Sequence, residues 1–378
     1  MHEVVIKPSF PPSSSIVSLW FWEGFLATTE KSPDELLKEE SASKLDTIFV
    51  GNDNKSLERV CNAKKLKFTE FSKCLLDAVG NLKTEIYMKL DPKRKVQLFG
   101  TKDFLSLSLS EIKKRGISLQ IAKVDRYQNI PSFELGTFLT QTTVYLDAPA
   151  ALLLMLGILS SFSIKISSDH YFVLFSPTQL SMAEKNTDLY FSIKRSVQDE
   201  LRSSIKEIGG WMDEYIYLKT IFNKELIKRA KEKLGSLEQN SIGLRIIKIA
   251  KEGQTHKVYM DFPIEINLMS KIYKDIEFIE EIYKSSSSLS CYVYMFLAKN
   301  KMKETNREGY HAYRAIMKLF MYVQTLDPIF LEEYNREVAT LRDIILSKKD
   351  EIEACRDKFP RLIDREITLW IRENILRH

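Results

Sequence analysis

The longest apolar run in the chain is "APAALLLMLGILSSF", residues 148–162. Its length falls short of the roughly 20 residues a membrane-spanning helix requires. Asp147 stands in front of it as an N-cap, and Pro149 occupies its first turn. The next stretch, "FSIKISSDHYFVLFSP", alternates Ile164 and Ile166 with polar residues, turns at "SSD" and continues into "YFVLF". A helix apolar on every side is a buried one. The pattern therefore predicts a core helix feeding a β-hairpin, with no membrane contact.

Upstream of this unit, strand and helix periods alternate. "HEVVIKPSF" reads as an opening strand closed by Pro11-Pro12, and "SIVSLWFWEGFLATT" as an aromatic-rich amphipathic segment. "SPDELLKEE" carries a capping box, Ser32 with Glu35, and Pro33 at the first helical position. "TIFVGND" reads as a strand entering a turn, and "SLERVCNAKKLKFTEFSKCLLDAVGNL" as mainly helix. "KVQLFG" and "ISLQIAKVDRY" read as strands around a short helix, "SEIKKRG", capped by Ser110 and closed by Gly116. "FELGTFLTQTTVYLD" reads as extended.

From about residue 183 the period becomes helical. Residues 186–237 suggest two helices split at Gly209-Gly210, followed by a hairpin, "IGLRIIKIAKEGQTHKVYMDFPIEI", around Glu252-Gly253. After 267 only "SCYVYMFLA" has a strand-like composition, and it also suits a helix. "YHAYRAIMKLFMYVQTL" has helical spacing; Asp327 with Pro328 restarts a helix to about 356, and Pro360 starts another. "SSSS" at 285–288 reads as a short loop. The expected fold class is α+β: a mixed α/β N-terminal domain with antiparallel hairpins, then a helical-bundle C-terminal domain. The expected segments are 1–182, 183–266 (helices plus hairpin, joined to the first domain) and 267–378.

Composition adds two expectations. The four cysteines, Cys61, Cys74, Cys291 and Cys355, form no C-x-x-C pair, so neither a zinc ribbon nor a disulfide framework is indicated and a reducing cytoplasm is expected. The opening "MHEVVIKPSFPPSSS" has no apolar signal core, which argues against export.

Charge is uneven. The chain has 56 Lys/Arg against 51 Asp/Glu, a net +5. Residues 81–130 hold eleven basic against five acidic residues, including Lys93-Arg94-Lys95 and Lys113-Lys114-Arg115; residues 224–257 hold nine against four, and 299–318 six against two. Such local excess suits a polyanion, because each contacting cation releases a condensed counterion. It also suits helices that merely solvate a surface. On a helix over 310–323, His311, Arg314 and Lys318 share one face while Tyr313, Ile316, Met317 and Phe320 turn inward. Asn52, Asn54 and Lys55 in "GNDNKS" are residue types that read base edges, in a stretch equally suited to an ordinary turn.

Catalytic patterns fail on closer reading. Glu308-x-x-His311 lacks a second copy, Ser203-x-x-Lys206 lacks a K-T-G, and Gly100-Thr101-Lys102 lacks the upstream glycine of a P-loop. Asp169-His170 falls at a hairpin turn without metal-ligand partners, and His170 and His256 read as strand-edge residues. No catalytic residue, metal ligand or cofactor is assigned.

The order α/β half, "DAPAALLLMLGILSSFSIKISSDHYFVLFSP", basic loops, then a helical end with "GYHAYRAIMKLFMYV" resembles the large subunit of archaeal type I-A CRISPR interference (Cascade) complexes. The resemblance covers the layout of most of the chain and rests on no diagnostic motif. It implies a non-catalytic cytoplasmic subunit, associated with other CRISPR subunits, guide RNA, target DNA and a helicase-nuclease. Such subunits aid recognition of the short motif flanking the target and support duplex unwinding. The phosphate contacts expected from the charge pattern are Lys93, Arg94, Lys95, Lys113, Lys114 and Arg115, with Arg314 and Lys318 as a second patch and Asn52, Asn54 and Lys55 for flank reading. Two alternatives stand beside this: a defence-associated nuclease or nucleotide-binding enzyme with a dispersed active site, and a scaffold touching protein only.

Overall fold

The structure is a computed structural model. It describes residues 3–46, 54–63, 66–127, 142–234, 241–252, 255–268, 273, 276–298, 307–347, 355 and 359–363. The chain divides into two compact units, Met1–Lys194 with Gly243–Pro263, and Arg195–Ile242 with Ile264–His378. The stretch 183–266, expected to travel with the first domain, is thus shared: its hairpin belongs to the first unit and most of its helices to the second. The α+β class and the helical C-terminal region are as expected.

The first unit opens with β1 (Val4–Pro8), α1 (Ile16–Glu30), α2 (Pro33–Leu36), α3 (Glu40–Leu45), α4 (Asn54–Cys61) and α5 (Phe68–Val79). There follow β2 (Leu82–Asp91), β3 (Val96–Gly100), α6 (Lys102–Ser106), α7 (Leu109–Arg115) and β4 (Thr143–Leu146). Next come α8 (Ala148–Ser161), β5 (Phe162–Ile166), β6 (Asp169–Phe175), α9 (Pro177–Ala183) and the start of α10 (Thr187–Ile208), with β7 (Ser241–Glu252) and β8 (Thr255–Asn267) returning later. Two four-stranded sheets form, ordered β1-β2-β3-β4 and β5-β6-β7-β8. The first is mixed: β1 and β2 run parallel, β2 and β3 antiparallel, β3 and β4 parallel.

The helix expected at 148–162 is α8, and it is the centre of this unit. Asp147 caps it by accepting from the Ala150 amide at 3.0 Å, and the side chains from Ala150 to Leu159 are buried. It feeds the β5–β6 hairpin as the pattern predicted, although no helix of the described residues is long and apolar enough to cross a membrane. α1 was expected to be amphipathic, but Ile16 through Ala27 are all buried, because α1 packs against α8, β1, β6 and α9. The α1–α8 crossing runs through two glycines. A Cβ on Gly157 would lie 1.7 Å from the Trp20 carbonyl oxygen, and one on Gly24 would lie 2.2 Å from that of Leu153. Only hydrogen fits at either position.

Several local expectations change. "ISLQIAKVDRY" is not a strand: Ile117 makes one isolated bridge to Leu146, and Ile121–Tyr127 is a 3-10 helix. That turn carries Asp125 to the start of α1, where its carboxylate accepts from the Ser15 hydroxyl at 2.5 Å and the Ile16 amide at 2.9 Å. α7 is capped by Ser108, not Ser110, in a capping box with Glu111, and still closes at Gly116. β2 gave no sequence signal because much of its outward surface is polar: Lys83, Glu85 and Lys89 are exposed and only Ile86 is buried. "TIFVGND" lies outside the described residues.

The second unit is helical: the rest of α10, α11 (Asp213–Ile221), α12 (Lys224–Leu234), α13 (Ile276–Ala298), α14 (Arg307–Thr325) and α15 (Pro328–Ser347). Gly209, with φ of 60°, ends α10 as expected, but three helices occupy the stretch predicted to hold two. Ser285–Ser288 is not a loop. It sits inside α13, where Ser286 and Ser287 donate to the Tyr283 carbonyl and Ser288 to that of Ser285. Such back-bonding removes the serines' preference for competing turns. Among the described residues, 359–363 is not helix: Tyr334 and Asn335 side chains bind the carbonyls of Arg361 and Ile363, at 2.8 and 2.9 Å.

The cysteines overturn the reading that no disulfide framework is indicated. Cys61–Cys74 joins α4 to α5, and Cys291–Cys355 joins α13 to a segment 64 residues on. Each pair has a Cα separation of 5.8 Å, ordinary for a bridge. Such pairing depends on the folded path, not on a short motif.

Candidate functional site

The basic triplets of the first unit are exposed but separate. Lys93, Arg94 and Lys95 lie in the turn between β2 and β3, not in a strand. Alternation therefore does not place Lys93 and Lys95 on one face. Asp91 organises the turn, accepting from the Arg94 amide at 3.1 Å and pairing with its guanidinium at 3.4 Å, and Lys95 closes it with φ of 54°. Lys113, Lys114 and Arg115 form the last turn of α7, where the helix dipole favours cations. The Arg59 guanidinium donates to the carbonyls of Lys113 and Lys114.

The two triplets flank β3. Lys95 precedes Val96 and its carbonyl accepts from Thr143 at the start of β4, whereas Ile117, just after α7, bridges Leu146 at the other end. Leu146 pairs with Phe99, so the two triplets approach the β3–β4 pair from opposite ends. Lys93, Lys113, Lys114 and Arg115 have no carboxylate within ion-pair distance among the described residues.

The second patch is different. His311 Nδ1 lies 2.7 Å from one oxygen of Glu337, Arg314 lies 2.9 Å from the other, and Lys318 lies 2.5 Å from Glu333. The three residues share a face of α14, as their spacing predicted, but that face meets the acidic face of α15. Arg314 and Lys318 are thus ion-paired with α15 carboxylates at a partly exposed seam, and neither is a bare cation. Inward packing is carried by Ala312, Ala315, Ile316, Leu319, Tyr322 and Val323. Asn52 lies outside the described residues; Asn54 and Lys55 open α4, and their side chains are also outside the described set.

No sequence pattern pointed to an open cleft in the second unit, of about 620 Å³, lined by Glu207, Tyr283, Lys284, Ser287, Ser288, Phe359 and Arg361. Behind it runs a polar network. Lys219, 4% exposed, donates to Ser287 Oγ at 2.7 Å and lies 3.6 Å from Glu207, 4.0 Å from Glu200 and 3.6 Å from the Tyr283 ring centre. Glu200 also accepts from Asn223 at 2.6 Å, Ser204 at 3.1 Å and Tyr283 at 3.2 Å; Glu207 accepts from Tyr215 at 2.8 Å. Burial, then the neighbouring carboxylates, pushes both phenols upward, so they stay protonated donors. A serine beside a lysine is the geometry of an acylating pair, and here the lysine nitrogen also lies within ion-pair distance of two carboxylates.

Two buried polar pairs mark the first unit. Glu23 and Lys194, both 0% exposed, meet at 2.5 Å; the Phe175 amide donates to Glu23, and the Lys194 ammonium lies over the Phe175 and Phe191 rings. Burial raises the Glu23 carboxyl against the opposing pull of Lys194. His170 and His256, expected at strand edges, are buried, 4% and 2% exposed. Burial, assisted by Lys165 and His256, lowers His170 to about 4. Among the described residues, no group of three or more His, Cys, Asp or Glu could hold a metal ion.

Comparison with known proteins adds one relative. A protein of Archaeoglobus fulgidus described as uncharacterized is 27% identical over 384 residues, spanning 89% of this chain and 94% of that one. No family model matches the chain, and no solved structure does.

Proposed function

We propose that this chain is a non-catalytic, nucleic-acid-binding subunit of an RNA-guided CRISPR surveillance complex of type I-A. In that setting it aids recognition of the target flank, duplex unwinding and recruitment of the helicase-nuclease. The observation that carries the binding part is the pair of exposed cation clusters at the two ends of β3, four of whose members have no carboxylate within ion-pair distance among the described residues. The assignment to a CRISPR complex rests on the resemblance in layout. We place the protein in the cytoplasm; intracellular proteins of hyperthermophilic archaea are disulfide-rich, so the two bridges are compatible with that setting.

The test is duplex DNA binding across a salt series, with the protein alone and in its native complex. Each lost phosphate contact lowers the magnitude of the log-affinity against log-salt slope by about 0.9. Lys93→Ala/Arg94→Ala and Lys113→Ala/Lys114→Ala/Arg115→Ala should each lose between about one and about two slope units, equally across flanking sequences. Lys95 is left in place because its backbone has positive φ. Unchanged slopes in both variants would overturn the interface. Native purification without a guide RNA and partner subunits would overturn the complex.

A further inference from the structure

We propose that the cleft of the second unit holds one nucleotide of a single strand, with its base stacked on Phe359 and its phosphate on Arg361. This rests on the nucleic-acid reading above but uses different residues. Phe359 is 39% exposed and lines the cleft. The Arg342 guanidinium sits 4.6 Å from the ring centre, and Arg342 does not line the cleft. A cation thus lies over one ring face of a partly exposed lining residue, a side chain on which a base can stack.

The segment bearing these side chains is held by its backbone. The Arg361 amide donates to Ser288 at 3.2 Å, its carbonyl accepts from Tyr334 at 2.8 Å, and the Ile363 amide donates to Asn335 at 2.9 Å. Cys355, just upstream, is bonded to Cys291 of α13. The Arg361 guanidinium takes no part in that anchoring and has no ion pair among the described residues. It is fixed at its root and its head is available to a phosphate. Lys284 enters the same cleft from α13, sharing Glu280 with Lys224. Among the described residues, Glu207 is the one acidic residue lining the cleft. Its carboxylate is already engaged by Tyr215 and Lys219, so the wall offers an acceptor suited to a base amino group without a bare negative charge. A cleft of this volume is of ordinary size for a small ligand.

The experiment measures fluorescence anisotropy with a labelled mixed-sequence single strand, the duplex of the same sequence, and free CMP as competitor. The proteins are wild type, Phe359→Ala and Arg361→Ala. Arg361→Ala keeps the backbone bonds that anchor the segment, and circular dichroism confirms the fold of both variants. Each variant should bind the single strand about tenfold more weakly, in line with the loss of one stacked base or one charged contact, and Arg361→Ala alone should also flatten the salt slope. Duplex binding should not change. Wild-type affinity for the single strand in both variants overturns the proposal. So does CMP binding at the cleft without single-strand binding, which would make the ligand a free nucleotide. If the variants at Lys93 and Lys113–Arg115 keep their slopes while these two lose single-strand affinity, the cleft stands and the proposed duplex surface falls.

Discussion

The two units place their charges in opposite ways. The first seals an ion pair, Glu23 with Lys194, in an apolar core and leaves cations bare at both ends of β3. The second pairs its surface cations on α14 with carboxylates on α15, and its buried Lys219 backs an open cleft. Charge runs in the sequence look alike in the two units. What distinguishes them is whether an acidic face has folded opposite. A basic run is therefore evidence for a polyanion partner only after the fold has shown which cations remain unpaired.

The largest expected effect lies in the sealed pair. Removing one partner of a buried ion pair strands the other without water. Lys194→Met should cost about 3–5 kcal/mol, measured by thermal or denaturant unfolding. The double replacement Glu23→Leu/Lys194→Met should recover most of that loss, because well-packed apolar pairs often match buried ion pairs. A Lys194→Met protein as stable as wild type would show that the pair is solvated and that the contrast between the units is false.

A second, smaller effect follows from His170. Its folded pKa, about 4, lies below the ordinary 6.5, so the unfolded chain binds a proton more readily than the folded one. The stability this contributes is complete above about pH 6.5 and is lost as pH falls towards 4, up to about 3 kcal/mol. Lys165 and His256 act in the same direction as burial, while Asp169 and the Ser168 backbone oppose them. His170→Leu should flatten the acid limb of the stability curve between pH 6.5 and 4. An unchanged limb would place the acid-sensitive group elsewhere.

Local signals made part of this fold legible. Asp147, Pro149 and the apolar run fixed α8 and its hairpin, because capping, proline placement and period act within a few residues. The Ser32–Glu35 box was legible for the same reason. What escaped depends on distant residues. β2 is a ten-residue strand whose exposed lysines and glutamate hide its period, and Ser285–Ser288 reads as a loop until back-bonding to helix carbonyls is seen. The disulfides join cysteines 13 and 64 residues apart. The cleft draws on residues from 207 to 361, which no spacing rule connects.

The smallest expected effect sharpens the comparison most directly, by unpairing a cation face in the second unit. Glu337 is the shared partner of His311 and Arg314, and its side chain is 12% exposed while that of Arg314 is 45% exposed. Glu337→Gln keeps the shape and a hydrogen-bond acceptor but removes the charge. Pairs this close to solvent contribute little, so stability should fall by about 1 kcal/mol or less. The Arg314 guanidinium then gains freedom to meet a phosphate, as Lys93 and Arg115 already have. If carboxylate pairing is what keeps α14 from nucleic acid, the variant should bind duplex DNA more tightly than wild type at low salt, and its salt slope should steepen by up to about one unit. The same salt series used for the β3 clusters measures it. A variant with wild-type affinity and slope would mean that geometry, not charge pairing, excludes α14, and that unpaired charge alone does not make a surface a binding face.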